Sequence, residues 1–131
     1  MAQKTGNLHS LGLLWLRVLM GAGMAYHGYG KLFGGTMQKF MEGVAALGMP
    51  SQMAWAAALS EFLGGICIAL GLGTRVAAAF VFATMSVAAF RAHAADPFNV
   101  KELALAYWVM SGALVLMGAG DFSVDAKLKR R

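Results

Sequence analysis

Four long apolar runs dominate the chain and leave it little choice of fold: Leu11–Tyr29, Met53–Leu72, Val76–Phe90 and Leu103–Ala119. A helix that crosses a bilayer needs about 20 predominantly apolar residues. The first two runs have that length and the fourth lies near the lower limit. The third reaches it by continuing through Arg91 and His93 to Ala95. Both prolines, Pro50 and Pro97, fall between runs, where a missing backbone N–H does no harm to a helix. Only 13% of the 131 residues are charged, against about a quarter in a soluble domain. The reading is an all-α integral membrane four-helix bundle. It forms a single transmembrane domain over residues 1–131, with helices at about 11–30, 51–72, 75–95 and 101–119.

Between the first and second helices, Met37, Phe40, Met41, Val44 and Leu47 recur at i, i+3, i+4, i+7 spacing. Thr36 is a candidate N-cap, and Gly48 with Pro50 supplies a stop. The segment 36–48 is too short to span. It is expected as a short amphipathic helix at the membrane surface, serving as a brace or a lid over the bundle.

The formal net charge is +5. Lys127, Lys129, Arg130 and Arg131 follow the last run directly, and such clusters favour the cytoplasmic side. With four spans both termini share a side, which would carry these four residues with Lys4 and Arg75. The opposite side would carry Lys31, Lys39, Arg91 and Lys101. Both termini are therefore expected in the cytoplasm, and the charge is read as topology with the lipid bilayer as partner, not as nucleic-acid binding. Residues 1–10 read as a short polar lead. The first run is a retained helix and not a cleaved signal: Arg17 interrupts it, and it ends in Tyr26-His27-Gly28-Tyr29-Gly30. The single cysteine, Cys67, rules out an intrachain disulfide.

Glu61 stands near the middle of the second run, where a carboxylate costs at least a few kcal/mol unless protonated or partnered. Its face, Ala54, Ala57, Ala58, Gly64, Gly65 and Ile68, is mostly small and lets another helix approach closely. Arg17, Met24, His27 and Lys31 share a face of the first helix. The expected neighbours of Glu61 are Arg17 from below, as a buried ion pair, and His27 from above, as a titratable pair. His93 or Arg91 from the third helix and Glu102 from the start of the fourth would complete a polar cluster at the outer end, with Lys31; the other reading of Glu102 is an acid favoured in the first turn near a helix N-terminus. Arg91 and His93 are two residues apart, so at most one faces the centre.

Two histidines at matching depth raise haem or metal. No Cys-x-x-Cys-His attachment site and no Glu-x-x-His di-iron motif is present, which argues against both. A quinone headgroup needs only an apolar slot with one or two donors. Trp55, Phe62, Phe90, Tyr107 and Trp108 are candidate walls, as well as ordinary packing or interfacial residues.

Taken together, these elements resemble the DoxX family of small four-helix bacterial membrane proteins. The matching pieces are Arg17, His27-Gly28-x-x-Lys31-Leu32, Phe40 with Gly48-x-Pro50, Glu61-x-x-Gly64-Gly65, Gly71-x-Gly73-Thr74-Arg75, His93, Glu102 and Gly118-x-Gly120-x-x-Ser123-x-Asp125. The resemblance implies the bundle, the bacterial inner membrane, and association with quinone- or sulfur-linked redox systems and a partner protein of such a complex. The expected role is a subunit or accessory of a membrane redox system. The alternatives are a non-catalytic scaffold or assembly factor, and a small-solute or lipid transporter. Small-residue faces left on the second and fourth helices leave room for a homodimer.

Overall fold

In the computed structural model, residues 2–131 are described, with side-chain surroundings from residue 6 onward. The elements are α1 (Ala2–Phe33), α2 (Met37–Ala46), α3 (Met53–Leu70), α4 (Thr74–Val87, prolonged by one wide turn over Ala88–Ala92), α5 (Phe98–Met117) and α6 (Val124–Lys129). Four of these, counting α4 with its wide turn, are long and apolar enough to cross a membrane. Among the described residues there are no strands. The protein is an all-α membrane bundle, and its outward surface agrees: Trp15, Tyr26, Val76, Phe80 and Leu116 are all exposed.

The polar lead does not end the first helix. α1 begins at Ala2, well before the expected start near residue 11. Residues 2–10 hold no proline, and a single glycine does not stop a helix.

Backbone contact sets the register of α1 against α3. A Cβ on Gly21 would stand 2.5 Å from the Gly65 carbonyl oxygen and 2.6 Å from the Ala69 nitrogen. One on Gly65 would stand 2.5 Å from the Ala25 nitrogen. Lipid tails are as apolar as leucine, so helices in a membrane gain by packing closely, and small residues permit it. On the other side, α4 and α5 are joined by the Phe82–Trp108 stack (5.4 Å between centroids) and by Trp108 Nε1–H donating to Ser86 Oγ at 3.0 Å. Leu13, Met20, Met24, Ile68, Val81, Met85 and Leu114 fill the core between these pairs.

The amphipathic segment folds as α2 and lies across one end. Its buried face, Met37 and Val44, rests on Ala54 and Ala58 of α3. Arg91 fastens it from the side: its Nη2 donates to the Leu47 carbonyl at 2.9 Å.

The opposite end, where α1 starts and α6 lies, is sealed by polar contacts. Arg17 is fully buried there. Its Nη1 donates to the carbonyls of Ile68 and Ala69 at 3.3 Å each, and Nη2 to the Phe122 carbonyl at 2.5 Å. Gly71 ends α3 with φ +74°, and a side chain there would collide with Arg17 and Ser123. Asp125 accepts from the Gly73 and Thr74 backbone N–H groups at 2.8 and 3.1 Å, and so caps α4 from a distance in sequence. Ser123 caps α6 by accepting from Ala126 N–H. Ser10 Oγ donates to Asp121 at 2.8 Å, tying α1 to the final loop.

Candidate functional site

Glu61 is 1% exposed and is partnered by Lys31, whose Nζ donates to Oε1 at 2.6 Å and Oε2 at 2.8 Å. This corrects the expected Arg17 pairing. The cause is the α1–α3 register: with Gly28 against Phe62 and Gly21 against Ala69, Glu61 lies level with the last turn of α1. Arg17 is then about 12 residues further down, roughly 18 Å of helical rise away. From sequence, Lys31 belongs to the outer polar cluster and is not paired with Glu61. It reaches Glu61 because an antiparallel neighbour presents it at that level. Its ammonium also lies 4.6 Å over the Phe40 ring of α2, a favourable cation–π arrangement.

The ion pair stands between two cavities and lines both. The smaller has a volume of about 170 Å³ and lies between α1, α4 and α5. His27, Lys31, Glu61, His93 and Tyr107 give it its polar groups, and Met24, Met85 and Leu103 are among its apolar walls. The larger, about 550 Å³, runs beneath α2 between α3 and α4 and is mostly apolar. Phe40, Val44, Met53, Phe80 and Val87 line it, with Ser60 and Thr84 as its neutral polar groups. Lys31, Glu61, Ala88 and His93 belong to both.

The wide turn over Ala88–Ala92 explains why His93 is there. His93 N–H donates to the Ala88 carbonyl at 3.0 Å, a five-residue step. That step aligns Ala88 and His93 on one face, and turns of this kind recur at functional sites. Arg91 is thereby sent outward to Leu47, so of the two candidates His93 is the one in the cavity. His93 Nδ1 is 2.7 Å from Asp96 Oδ2, which orients the ring. His27 packs edge-on against Tyr107, with 5.8 Å between centroids and 83° between planes. The Tyr107 hydroxyl fills the space over Gly23 that a side chain would otherwise occupy.

Of the six residues expected to cluster, the structure brings His27, Lys31, Glu61 and His93 together. Arg17 lies at the other end of the bundle. Glu102 is exposed in the second turn of α5 and lines neither cavity, while its neighbours Val100 and Leu103 do. From sequence Tyr107 is a candidate wall or a packing residue, and the part of Asp96 beside His93 is not marked there. Because α5 is apolar nearly all round, its sequence carries no stripe to mark which face turns inward. Among the described residues no group of three or more His, Cys, Asp or Glu gathers as a metal site.

A membrane bundle of four spanning helices, with a buried glutamate paired to a partly exposed lysine beneath an amphipathic cover, is the class of protein that fold and site define. The DoxX family model matches residues 12–94, well over half of the chain, and the chain belongs to the DoxX family. It is 33% identical over 130 residues to the inner membrane protein YqjF of Escherichia coli, covering 95% of this chain and 97% of that one. It is also 40% identical over 68 residues to a Bacillus subtilis protein named "Putative oxidoreductase CatD", covering 50% of this chain and 48% of that one. No solved structure matches the chain.

Proposed function

We propose that this protein is a multi-pass component of the bacterial inner membrane. It serves as a subunit or accessory of a redox system by holding a quinone-type amphiphile at the Lys31–Glu61 pair. The observation that carries the reading is the position of that pair as a shared wall between a small polar cavity and a larger apolar one. A monocyclic head with opposed carbonyl oxygens needs donors around an apolar slot. Lys31, His27, His93 and Tyr107 are the available donors, and an isoprenoid tail suits the groove under α2. Two charges of opposite sign leave the wall formally neutral, which favours an uncharged head over an anion. Glu61 is the group that would accept a proton from a hydroquinone hydroxyl, and His93 with Asp96 the side chains that lead from it to the loop surface. The name of the Bacillus relative points to redox chemistry, and that of the Escherichia relative to the inner membrane. Both termini are assigned to the cytoplasm, on the weight of Arg75, Lys127, Lys129, Arg130 and Arg131 at their end.

The test is equilibrium binding of a prenylated benzoquinone and of its tail-less headgroup to the detergent-purified protein. The tailed compound is expected to bind roughly tenfold or more tightly, from the apolar area it buries. Glu61→Gln is expected to abolish binding of both. No binding by the wild type, or unchanged binding by a folded Glu61→Gln or His93→Gln variant, would sink the reading.

A further inference from the structure

A third cavity lies at the opposite end of the bundle and belongs to none of the machinery above. It measures about 400 Å³ and sits where α4 begins and α5 ends, bordered by the start of the final loop and by α6. That volume is within the usual range for ligand pockets, about 300–1,000 Å³. Arg75 and Lys129 line it, and so do Asp121 and Asp125.

The two acids are already engaged. Asp125 caps Gly73 and Thr74, and Asp121 accepts from Ser10. The two cations are not neutralised: among the described residues neither has a carboxylate within salt-bridge distance. Arg75 spends one N–H on the Leu116 carbonyl at 3.2 Å and keeps its remaining donors. The Thr74 hydroxyl, 1% exposed as a residue, has no hydrogen-bond partner among the described residues and lines the same cavity. The rim is apolar on the side toward the spans. Val76 is 65% exposed and Met117 45% exposed, one turn or less from the helix ends that mark the membrane boundary.

We infer that this cavity is a binding site for an anionic phospholipid. Its phosphate would lie between Arg75 and Lys129, and its acyl chains would run beside Val76 and Met117. The carboxylates are held by N–H and O–H groups, while the two cations have no salt bridge and keep free donors, so the open groups of the cavity suit an anion. The exposed apolar rim at the end of two spanning helices selects a lipid over a soluble phosphate, because a free phosphate would gain nothing from it. Basic residues immediately outside a span attract anionic headgroups in this manner.

Native mass spectrometry of the full-length protein from mixed phosphatidylglycerol and phosphatidylcholine nanodiscs tests the assignment. The wild type is expected to retain phosphatidylglycerol selectively, and glycerol 3-phosphate at the same concentration to leave it in place. Arg75→Gln and Lys129→Gln are each expected to lower retention roughly fivefold. Lys129→Gln is the safer variant, since the Lys129 ammonium makes no hydrogen bond within the described bundle. Arg130→Gln, outside the cavity, is expected to change nothing. Equal retention of the two lipids, displacement by glycerol 3-phosphate, or an equal loss in Arg130→Gln would each overturn it.

Discussion

Both ends of the bundle set a cation of α1 against α3, and they treat it in opposite ways. Arg17 is sealed among the carbonyls of Ile68, Ala69 and Phe122, with no cavity beside it among those described. Lys31 is paired with a carboxylate, is 30% exposed at its side chain, and borders two cavities. A planar guanidinium offers five donors in a fixed fork, so it can tie helix end to loop with backbone acceptors alone. An ammonium on a flexible stem satisfies a carboxylate and can also leave it. The first arrangement closes a structure, and the second keeps a charged group available. Burial of a charge inside a membrane protein is therefore not by itself a sign of function; the free space beside it makes the distinction.

The contrast is open to direct attack. Arg17→Leu takes the arginine donors from the Ala69 and Phe122 carbonyls and opens the seal at that end, and is expected to cost about 3–5 kcal/mol. Thermal unfolding in detergent would read this as the largest loss of any variant considered. Glu61→Gln removes the partner of a lysine that can turn toward water, so its cost is expected to be smaller, about 1–3 kcal/mol. Equal destabilisation by the two would erase the distinction between the ends. Asp125→Ala deletes the cap on Gly73 and Thr74 and is expected to cost about 1 kcal/mol, with quinone binding at the far end unchanged. Tyr107→Phe keeps the ring against His27 and removes only the hydroxyl. Its unfolding midpoint is expected to stay within error, while headgroup affinity falls roughly fivefold, the value of one hydrogen bond. A fall in stability with no change in affinity would move Tyr107 from the site to the core.

The bundle was legible because long apolar runs admit few other folds, and α2 because its period-3.6 pattern is confined between a threonine and a glycine–proline stop. The small face of α3 was legible too, and it told that α1 would come close. What it did not tell was the level at which the two helices meet. A polar stripe offers several registers that satisfy Glu61, and the ladder Arg17, His27, Lys31 contains at least two. The choice was made by the glycines, through backbone contacts that no spacing rule for charges describes. The distant capping of α4 by Asp125 was hidden for a related reason, since it depends on a loop closing across the end of the bundle. The wide turn before His93 has no marker in the sequence, having neither proline nor an inserted glycine.

The contact between Gly21, Ala25, Gly65 and Ala69 has a mechanical consequence. Two helices that touch backbone to backbone cannot slide or roll without collision, so α1 and α3 act as a stator. The backbone positions of Lys31 and Glu61 both ride on it, so their levels along the two helices stay matched while the lysine stem remains free to turn. Any opening that admits a bulky guest has to come from the other side of the groove: from α2, held at its end by one arginine, or from the wide turn of α4. The chain thus divides its labour between a fixed pair of helices and a compliant wall, and a mutation at Gly21 would disturb the first without touching either charge.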